Sequence, residues 1–294
     1  MNTMQYASVF MTELDKQLVE KSTTGWMEDN AKQVQYNGGA EVKIPKMTMS
    51  GLGDYDRNSG FAQGAVAVTY ETRTLTQDRG RTFQLDAMDV DETNFAATAG
   101  NVMREFQSTK VIPEIDAYRY SKIYELAEAA GKANTYTPAA NSIFETLMND
   151  ITAVRDMAGE CEEIVIAMSA KVAGMLDLAK GGTNVLQSGY FEQGKAEIKV
   201  KEIDGCPIIR VPSVRFKTAY TFMDGAENTE GGFAAAEGAK DINWIVMVKN
   251  APVAISKTDV TRIFDPMTNQ NANAWKIDYR KYHDLWIMDN GMDG

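Results

Sequence analysis

The sequence has a single histidine, His283, and two cysteines, Cys161 and Cys206, among its 294 residues. A histidine-based catalytic triad would have to centre on His283, which lies in a strand-like run and which we interpret as structural. The cysteines share no CxxC spacing, so we expect buried thiols in a reducing compartment. The motifs G-x-S-x-G, H-E-x-x-H and G-x-x-x-x-G-K-[ST] are all missing.

Cationic residues and long apolar runs are also scarce. The chain has 30 Lys and Arg against 41 Asp and Glu, a formal net charge of −11. Nucleic-acid binding through counterion release needs an excess of cations, so the chain as a whole is not of that class. The longest apolar runs, IVIAM and WIVMV, are far shorter than the roughly 20 residues of a membrane-spanning helix. We therefore predict a soluble protein with no membrane partner.

Two groups of acidic residues resemble metal sites. Asp54, Asp56, Asn58 and Gly60 match the opening of an EF-hand loop, but the glycine is one position late and Ala65 replaces the closing glutamate. We interpret this segment as a solvated turn rich in Asx residues. The second group is Asp86, Asp89, Asp91 and Glu92. These acids precede a helix, and the positive N-terminal end of a helix dipole stabilises negative side chains. We therefore interpret them as capping residues and predict no metal, no cofactor and no catalytic residue.

The N-terminal stretch has one narrow apolar stripe of helical spacing. The stripe consists of Tyr6, Phe10, Leu14 and Leu18. Such a helix packs either on its own domain or on a neighbouring subunit, and the stripe leaves both alternatives open.

A long hairpin follows. AEVKIPKMTMS and GAVAVTYETRTLT are strand-like runs joined by GLGDYDRNSGFAQ, and Val66, Val68 and Tyr70 share one face of the second run. An isolated two-stranded hairpin is marginally stable in water, so it must lean on its own chain or on another. Asp78-Arg79-Gly80 then indicates a β-turn.

The rest of the chain alternates helices and strands. Helical stripes begin at Phe95 and restart at Pro113, in a helix that we expect to stop at Gly131. A third helix ends near Gly159 and has the stripe Ile143, Leu147, Ile151 and Val154. EIVIAM is typical of a buried strand, and Ser169 caps a helix expected to end at Gly181-Gly182. These elements predict a compact α/β layer together with the strand-like runs AEIKVKEI, CPIIRVP and NWIVMVK. Two tail strands are predicted at VAISKTDVTRIF and AWKIDYRKYHDLWIM. The fold class is α+β.

Four segments, in this order, resemble a tailed-bacteriophage major capsid protein of the Hong Kong-97-type fold. They are the hairpin, YETRTLTQDRGRTFQLDAMDVDET, NFAATAGNVMREFQSTKVIPEIDAYRYSKI and TRIFDP…DYRKYHDLWIMDN. The resemblance runs from about residue 30 to the end. It implies an N-arm (1–33), an E-loop hairpin (34–80), a P-domain with the spine helix (81–134), an A-domain (135–250) and P-domain return strands (251–294).

The resemblance implies a shell protein that assembles through pentamers and hexamers into an icosahedral head around phage double-stranded DNA. The virion capsid, built in the host cytoplasm, would be its location. The chain lacks a long acidic helical extension, so we expect either a separate scaffolding protein or a processed, mature chain, and the start at Met1 favours the first. A portal and decoration proteins are the other implied partners.

By the same resemblance, the hairpin tip makes contacts between subunits through Asp54, Tyr55, Asp56, Arg57 and Phe61. The best-known family member cross-links an E-loop lysine to an asparagine of a neighbour. This tip contains no lysine, and Lys46 lies lower on the hairpin, so we predict no covalent cross-link. Two alternatives stay open, which are an encapsulin-type nanocompartment shell and a hydrolase that uses the acid pair Asp86 and Asp89.

Overall fold

A computed structural model describes residues 22–33, 35–36, 41–58, 60–86, 95–159, 162–179, 187–193, 196–226, 230–269 and 272–287. The strands are β1 (Gln35–Tyr36), β2 (Glu41–Met49), β3 (Val66–Thr74), β4 (Gln77–Asp86), β5 (Ile164–Ser169), β6 (Gln187–Gln193), β7 (Ala196–Ile203), β8 (Cys206–Val211), β9 (Tyr220–Met223), β10 (Gly232–Ala235), β11 (Trp244–Val248), β12 (Pro252–Phe264) and β13 (Ala274–Ile287). The α-helices are α1 (Phe95–Phe106), α2 (Ile112–Ala129), α3 (Ile143–Ala158) and α4 (Ala170–Leu178). The predicted stripe of Tyr6, Phe10, Leu14 and Leu18 lies outside the described residues, as do Asp89, Asp91, Glu92 and Cys161.

One long helical element forms the backbone of the body. A π-helical turn at Gln107–Val111 joins α1 to α2, and Val111 keeps right-handed helical dihedrals. The predicted restart at Pro113 is therefore a continuation. The π-helical turn ends just before the proline, whose missing N–H removes one helical hydrogen bond without ending the helix. The helix ends, as predicted, at Gly131, whose φ of 71° is left-handed.

The long helix packs on an antiparallel sheet of order β12-β13-β4. Its core joins Met103 and Ile112 of the helix to Ile277 and Tyr279 of β13. The predicted β-turn at residues 78–80 is wrong, because these residues lie inside β4, where Gly80 pairs with Arg280. The ladder with β13 overrides the local turn preference, and a Cβ atom on Gly80 would lie 2.7 Å from the Tyr279 carbonyl oxygen.

A second layer holds the five-stranded sheet of order β11-β5-β8-β7-β6. β5 is buried along its whole length and runs parallel to β8, while the other pairs are antiparallel. Ile143, Leu147 and Ile151 of α3 pack on this sheet, as their spacing predicts. Ser169 caps α4 by accepting a hydrogen bond from the Val172 N–H (3.3 Å), and the helix ends at Leu178, before the predicted glycine stop.

The small antiparallel hairpin β9–β10 is an element that the sequence analysis did not predict. Its aromatic residues Tyr220, Phe222 and Phe233 contact one another, and Phe222 meets Tyr118 of α2 edge-on at 5.8 Å between ring centroids. The predicted strands of the α/β layer and of the tail are all present, so the mixed α/β class is confirmed.

Candidate assembly surface

The outer half of the β2–β3 hairpin exposes a row of apolar side chains on one face. In the antiparallel register Met49 lies opposite Val66, and Met47 lies opposite Val68. Cross-strand partners share a face, and so does Tyr70, two residues beyond Val68. The exposed fractions run from 48% at Val68 to 69% at Met49. We call these five residues the apolar ladder, because a contiguous exposed apolar patch of this kind marks an interaction site.

The inner half of the same hairpin is anchored to the body through its opposite face. Val42 and Ile44 are buried, and they belong to a core cluster with Val253, Ile255 and Trp286. Their alternation with the ladder residues puts the anchored face and the exposed face on opposite sides of one two-stranded sheet. The hairpin is thus a supported arm whose outer half has no intrachain cover among the described residues.

A set of hydrogen bonds fixes the elbow at which the arm turns into β4. The Thr76 backbone N–H donates to Asp284 Oδ2 at 2.9 Å, and the Thr76 hydroxyl donates to the same oxygen at 2.8 Å. The hydroxyl of Tyr118 donates to Asp284 Oδ1 at 2.5 Å, and that of Tyr282 donates to the Leu75 carbonyl oxygen at 2.9 Å. Asp284 therefore ties the elbow to the long helix and to β13.

The tip of the arm is a closed turn with an aromatic pair. Asp56 and Gly60 exchange backbone hydrogen bonds of 3.2 and 2.7 Å, and the Asn58 N–H donates to Asp56 Oδ1 at 3.0 Å. This last contact is the predicted Asx turn. The rings of Tyr55 and Phe61 lie 5.0 Å apart, so they present one aromatic wedge.

The structure places all five predicted tip residues on the surface. Asp54, Tyr55, Asp56, Arg57 and Phe61 are exposed. Arg57 makes no hydrogen bond or ion pair with the part of the chain that the structure describes, which leaves its guanidinium open to a carboxylate. The sequence predicts that Val66, Val68 and Tyr70 share a face, but the ladder was not among the predicted site residues. The register with β2, which adds Met47 and Met49 to that face, follows only from the tertiary structure.

A buried carboxylate fixes the segment that precedes the arm. Asp116 of α2 has no exposed surface and accepts hydrogen bonds from the hydroxyls of Ser22 (2.7 Å) and Thr24 (2.6 Å) and from the Thr23 N–H (3.1 Å). Arg215 donates to Asp116 Oδ2 at 3.1 Å. Because a buried charge is tolerated only when it is paired and hydrogen-bonded, residues 22–24 are held at this point of the helix.

A second buried charge cluster joins the 3-10 helix Gly25–Gln33 to the sheet. Arg119 donates to Glu28, and Lys281, which is 3% exposed, lies between Glu28 (3.4 Å) and Asp259 (2.7 Å). Burial raises the pKa of Glu28, but Lys281 and Arg119 outweigh burial and hold that pKa well below its usual range. The cluster therefore stays charged and binds the segment before the arm to the body.

His283, the only histidine of the sequence, lies beside this cluster and is buried. Its ring meets that of Tyr118 edge-on at 5.5 Å between centroids. Burial, and then the positive charges of Arg119 and Lys281, hold the pKa of His283 well below its usual range. A neutral, packed imidazole is what the structural interpretation of this residue predicts.

Comparison with known proteins gives matches at the level of structure. No protein-family model and no curated protein matches the sequence. The mature capsid of bacteriophage PhiM1 matches with a TM-score of 0.52 and 12% identity, over 87% of this chain and 81% of that one. The capsid of cyanophage P-SCSP1u gives a TM-score of 0.52 and 13% identity, with the same two coverages. The chain has the fold of a phage capsid protein.

A virus-like particle from Pyrococcus furiosus also matches, over 91% of this chain and 94% of that one at 9% identity. Its TM-score is 0.45, and this match supports no conclusion about the present chain.

Beyond the arm, this capsid-fold chain brings few chemistry-bearing residues together. Asp86 is exposed at the end of β4, while its predicted partner Asp89 lies outside the described residues. Cys206 is a buried free thiol, and burial raises its pKa. In the described ranges, no group of three or more His, Cys, Asp or Glu side chains is placed to hold a metal ion. No helix of those ranges is long and apolar enough to cross a bilayer.

Proposed function

We propose that the protein is a structural, non-enzymatic shell subunit, a major capsid protein that assembles with copies of itself around phage double-stranded DNA. The observation that carries the proposal is the arm, because a capsid fold here presents a supported hairpin with an uncovered apolar ladder. A monomer gains nothing from exposing Met47, Met49 and Val66 together, whereas a second copy can bury them.

The domains of the Hong Kong-97-type fold can be assigned to the observed elements. The arm β2–β3 is the E-loop, the long helix with the β12-β13-β4 sheet is the P-domain, and the five-stranded sheet with α3 and α4 is the A-domain. β4 pairs with β13 from Gln77 onward, so we place the end of the E-loop at the elbow, Leu75–Thr76, rather than at residue 80. Residues 1–33 are assigned as the N-arm.

Pentamers and hexamers are the ring forms that close such a shell, and each copy would offer the same ladder to its neighbour. A separate scaffolding protein, a portal and decoration proteins are the further partners that we propose. With a net charge of −11, we expect a neutral or negative inner wall, along which packaged DNA moves without adhering.

Replacement of the tip, residues 51–64, by an Asn-Gly turn tests the proposal. Most of these residues are exposed, so the variant loses little intrachain burial, and we expect a cooperative thermal melt like that of the wild-type subunit. We expect wild-type protein to form closed particles in negative-stain micrographs and the variant to form none.

Three results would contradict the proposal. They are wild-type protein that remains monomeric at every concentration, a tip variant that still forms normal shells, and a tip variant that does not fold. Nuclease-resistant DNA in particles from infected cells separates a phage head from an encapsulin-type shell, which would enclose protein cargo.

A further inference from the structure

A groove lies beside the elbow of the arm, between α2 and the β9–β10 hairpin. Its volume is about 630 Å³, within the usual range of pockets that enclose a compact group of side chains. Tyr118, Tyr220 and Phe222 line it, and Thr76 of the elbow forms part of its wall. We call this cavity the elbow groove.

The chemistry of the elbow groove is aromatic along its wall and charged at its rim. Phe222 lies edge-on to Tyr118 at 5.8 Å and 6.4 Å from Tyr220 between ring centroids. Glu125 and Glu128 of α2 are exposed at one rim. Lys122 donates to Glu125 at 3.0 Å and the Tyr124 hydroxyl donates to Glu128 Oε1 at 2.7 Å, so each carboxylate keeps one oxygen or lone pair for a further donor. Lys240 is exposed at the β9–β10 side and makes no ion pair with the described residues. The groove therefore suits an aromatic group flanked by a cation and an anion.

The tip of the arm has this complementary set. Tyr55 and Phe61 form an exposed aromatic wedge, with ring centroids 5.0 Å apart. Arg57 and Asp54 stand on either side of Tyr55 in the sequence, and both are exposed. An arginine pairs favourably with carboxylates, and paired aromatic rings favour edge-to-face contact with other rings.

The arm cannot deliver its tip to the groove of its own chain. β2 has nine residues, so at about 3.3 Å per residue the tip lies about 30 Å beyond the elbow, while the groove lies at the elbow. Residues 47–58 and 61–70 are exposed, so the outer half of the arm does not pack on the described part of its own body. A contact between two different surfaces of identical chains is head-to-tail, and such contacts close into rings.

We infer that the elbow groove of one copy receives the hairpin tip of the next copy. The wedge of Tyr55 and Phe61 fills the aromatic part, Arg57 pairs with Glu125 or Glu128, and Asp54 lies near Lys240. This inference rests on the proposed function and names the surface of the neighbour that the arm meets.

Cross-linking in assembled particles tests the placement. In a background with Cys161→Ala and Cys206→Ala, the substitutions Ala62→Cys at the tip and Ser121→Cys in the groove leave every charge in place. A short bismaleimide should produce dimers and higher multimers on a denaturing gel. The matched control replaces Ser121→Cys by Ala153→Cys, an exposed and uncharged position of α3 outside the groove, and should give no multimers. A test pair that gives no multimers, or no more than the control, would overturn the inference.

Charge reversal gives an independent test. Arg57→Glu alone, or Glu125→Lys with Glu128→Lys, should raise the protein concentration needed for assembly by about tenfold or more, because like charges then face each other. The three substitutions together should return that concentration to within about threefold of the wild-type value. All variants should melt within a few degrees of the wild-type subunit, since these side chains are exposed and a surface ion pair such as Lys122–Glu125 contributes about 1 kcal/mol or less.

These experiments distinguish failure of the inference from failure of the proposed function. If the tip variant fails to assemble and the combined variant is not rescued, the tip binds elsewhere, so the inference is wrong and the proposed function stands. If wild-type protein forms no particles, the proposed function fails, and the inference fails with it.

Discussion

The apolar ladder allows a sharp test, because one hairpin offers the same substitution on a covered face and on an uncovered face. Val66→Thr with Val68→Thr changes two ladder positions, and Val42→Thr makes the same exchange where the side chain is fully buried. Threonine keeps the β-branched shape and a high strand propensity, so the exchange alters polarity more than backbone preference.

The structure sets the expected magnitudes. In the isolated subunit, Val66 is 65% exposed and Val68 is 48% exposed, so the double exchange should change the free energy of unfolding by about 0.5 kcal/mol or less. Val42→Thr should lower it by about 1–3 kcal/mol, since a hydroxyl replaces a buried methyl group that packs near Val253 and Trp286.

In a shell, we expect the ladder exchange rather than Val42→Thr to have the larger effect, because the ladder is buried between subunits. Each exchange at a buried ladder contact removes about 0.8 kcal/mol of methyl transfer energy and adds the cost of desolvating a hydroxyl. A combined loss of about 2–4 kcal/mol per contact corresponds to a factor of about 30–1,000 in the dissociation constant of that contact. The double exchange should therefore abolish assembly at concentrations at which wild-type protein is fully assembled.

Two measurements check this reasoning. Urea unfolding of dilute subunits, followed by circular dichroism, reports the stability of the fold, and sedimentation velocity over a concentration series reports assembly. A double variant that assembles at wild-type concentrations would refute the role of the ladder. A Val42→Thr variant as stable as wild type would refute the assignment of the anchored face.

Three further outcomes are expected. Shells boiled in detergent should give a single band near 32.5 kDa, because the tip has no lysine and Cys206 is buried; a ladder of multiples would contradict this. Between pH 7.5 and 5.5, wild-type protein should lose more unfolding free energy than His283→Gln. Since the folded pKa of His283 is lowered, the unfolded state takes up its proton first as pH falls below about 6.5, and parallel pH profiles would disprove the effect. Chelator-washed protein should hold no stoichiometric metal in elemental analysis, because Ala65 replaces the closing glutamate of the calcium-like loop.

Local periodicity let the sequence determine much of the fold. The stripe Ile143, Leu147 and Ile151 predicted the buried face of α3, and runs of apolar and β-branched residues predicted β5, β7, β8, β11, β12 and β13. Ser169 predicted the start of α4, since a cap acts within three residues of its partner. The need of the hairpin for support also followed from the sequence, because a two-stranded sheet with apolar faces is marginal in water.

Tertiary structure decided which face of the hairpin is covered. Val42 and Val68 are equally apolar in the sequence, yet the first is buried against the return strands and the second is half exposed. The elbow moved from the expected turn at 78–80 to residues 75–76, because pairing with β13 and the bonds of Asp284 outweigh a local turn preference. Such contacts join residues about 200 positions apart, so no window of the sequence contains both partners.

The buried charge cluster before the arm could not be predicted from the local sequence either. Glu28, Arg119 and Lys281 are ordinary charged residues when each is considered in its local stretch, and nothing in their spacing pairs them. The fold brings them together in a desolvated place, where each charge is tolerated only because the others are present. The sequence alone thus determined the elements and the need for a partner, while the packing of distant segments decided which surfaces remain open to one.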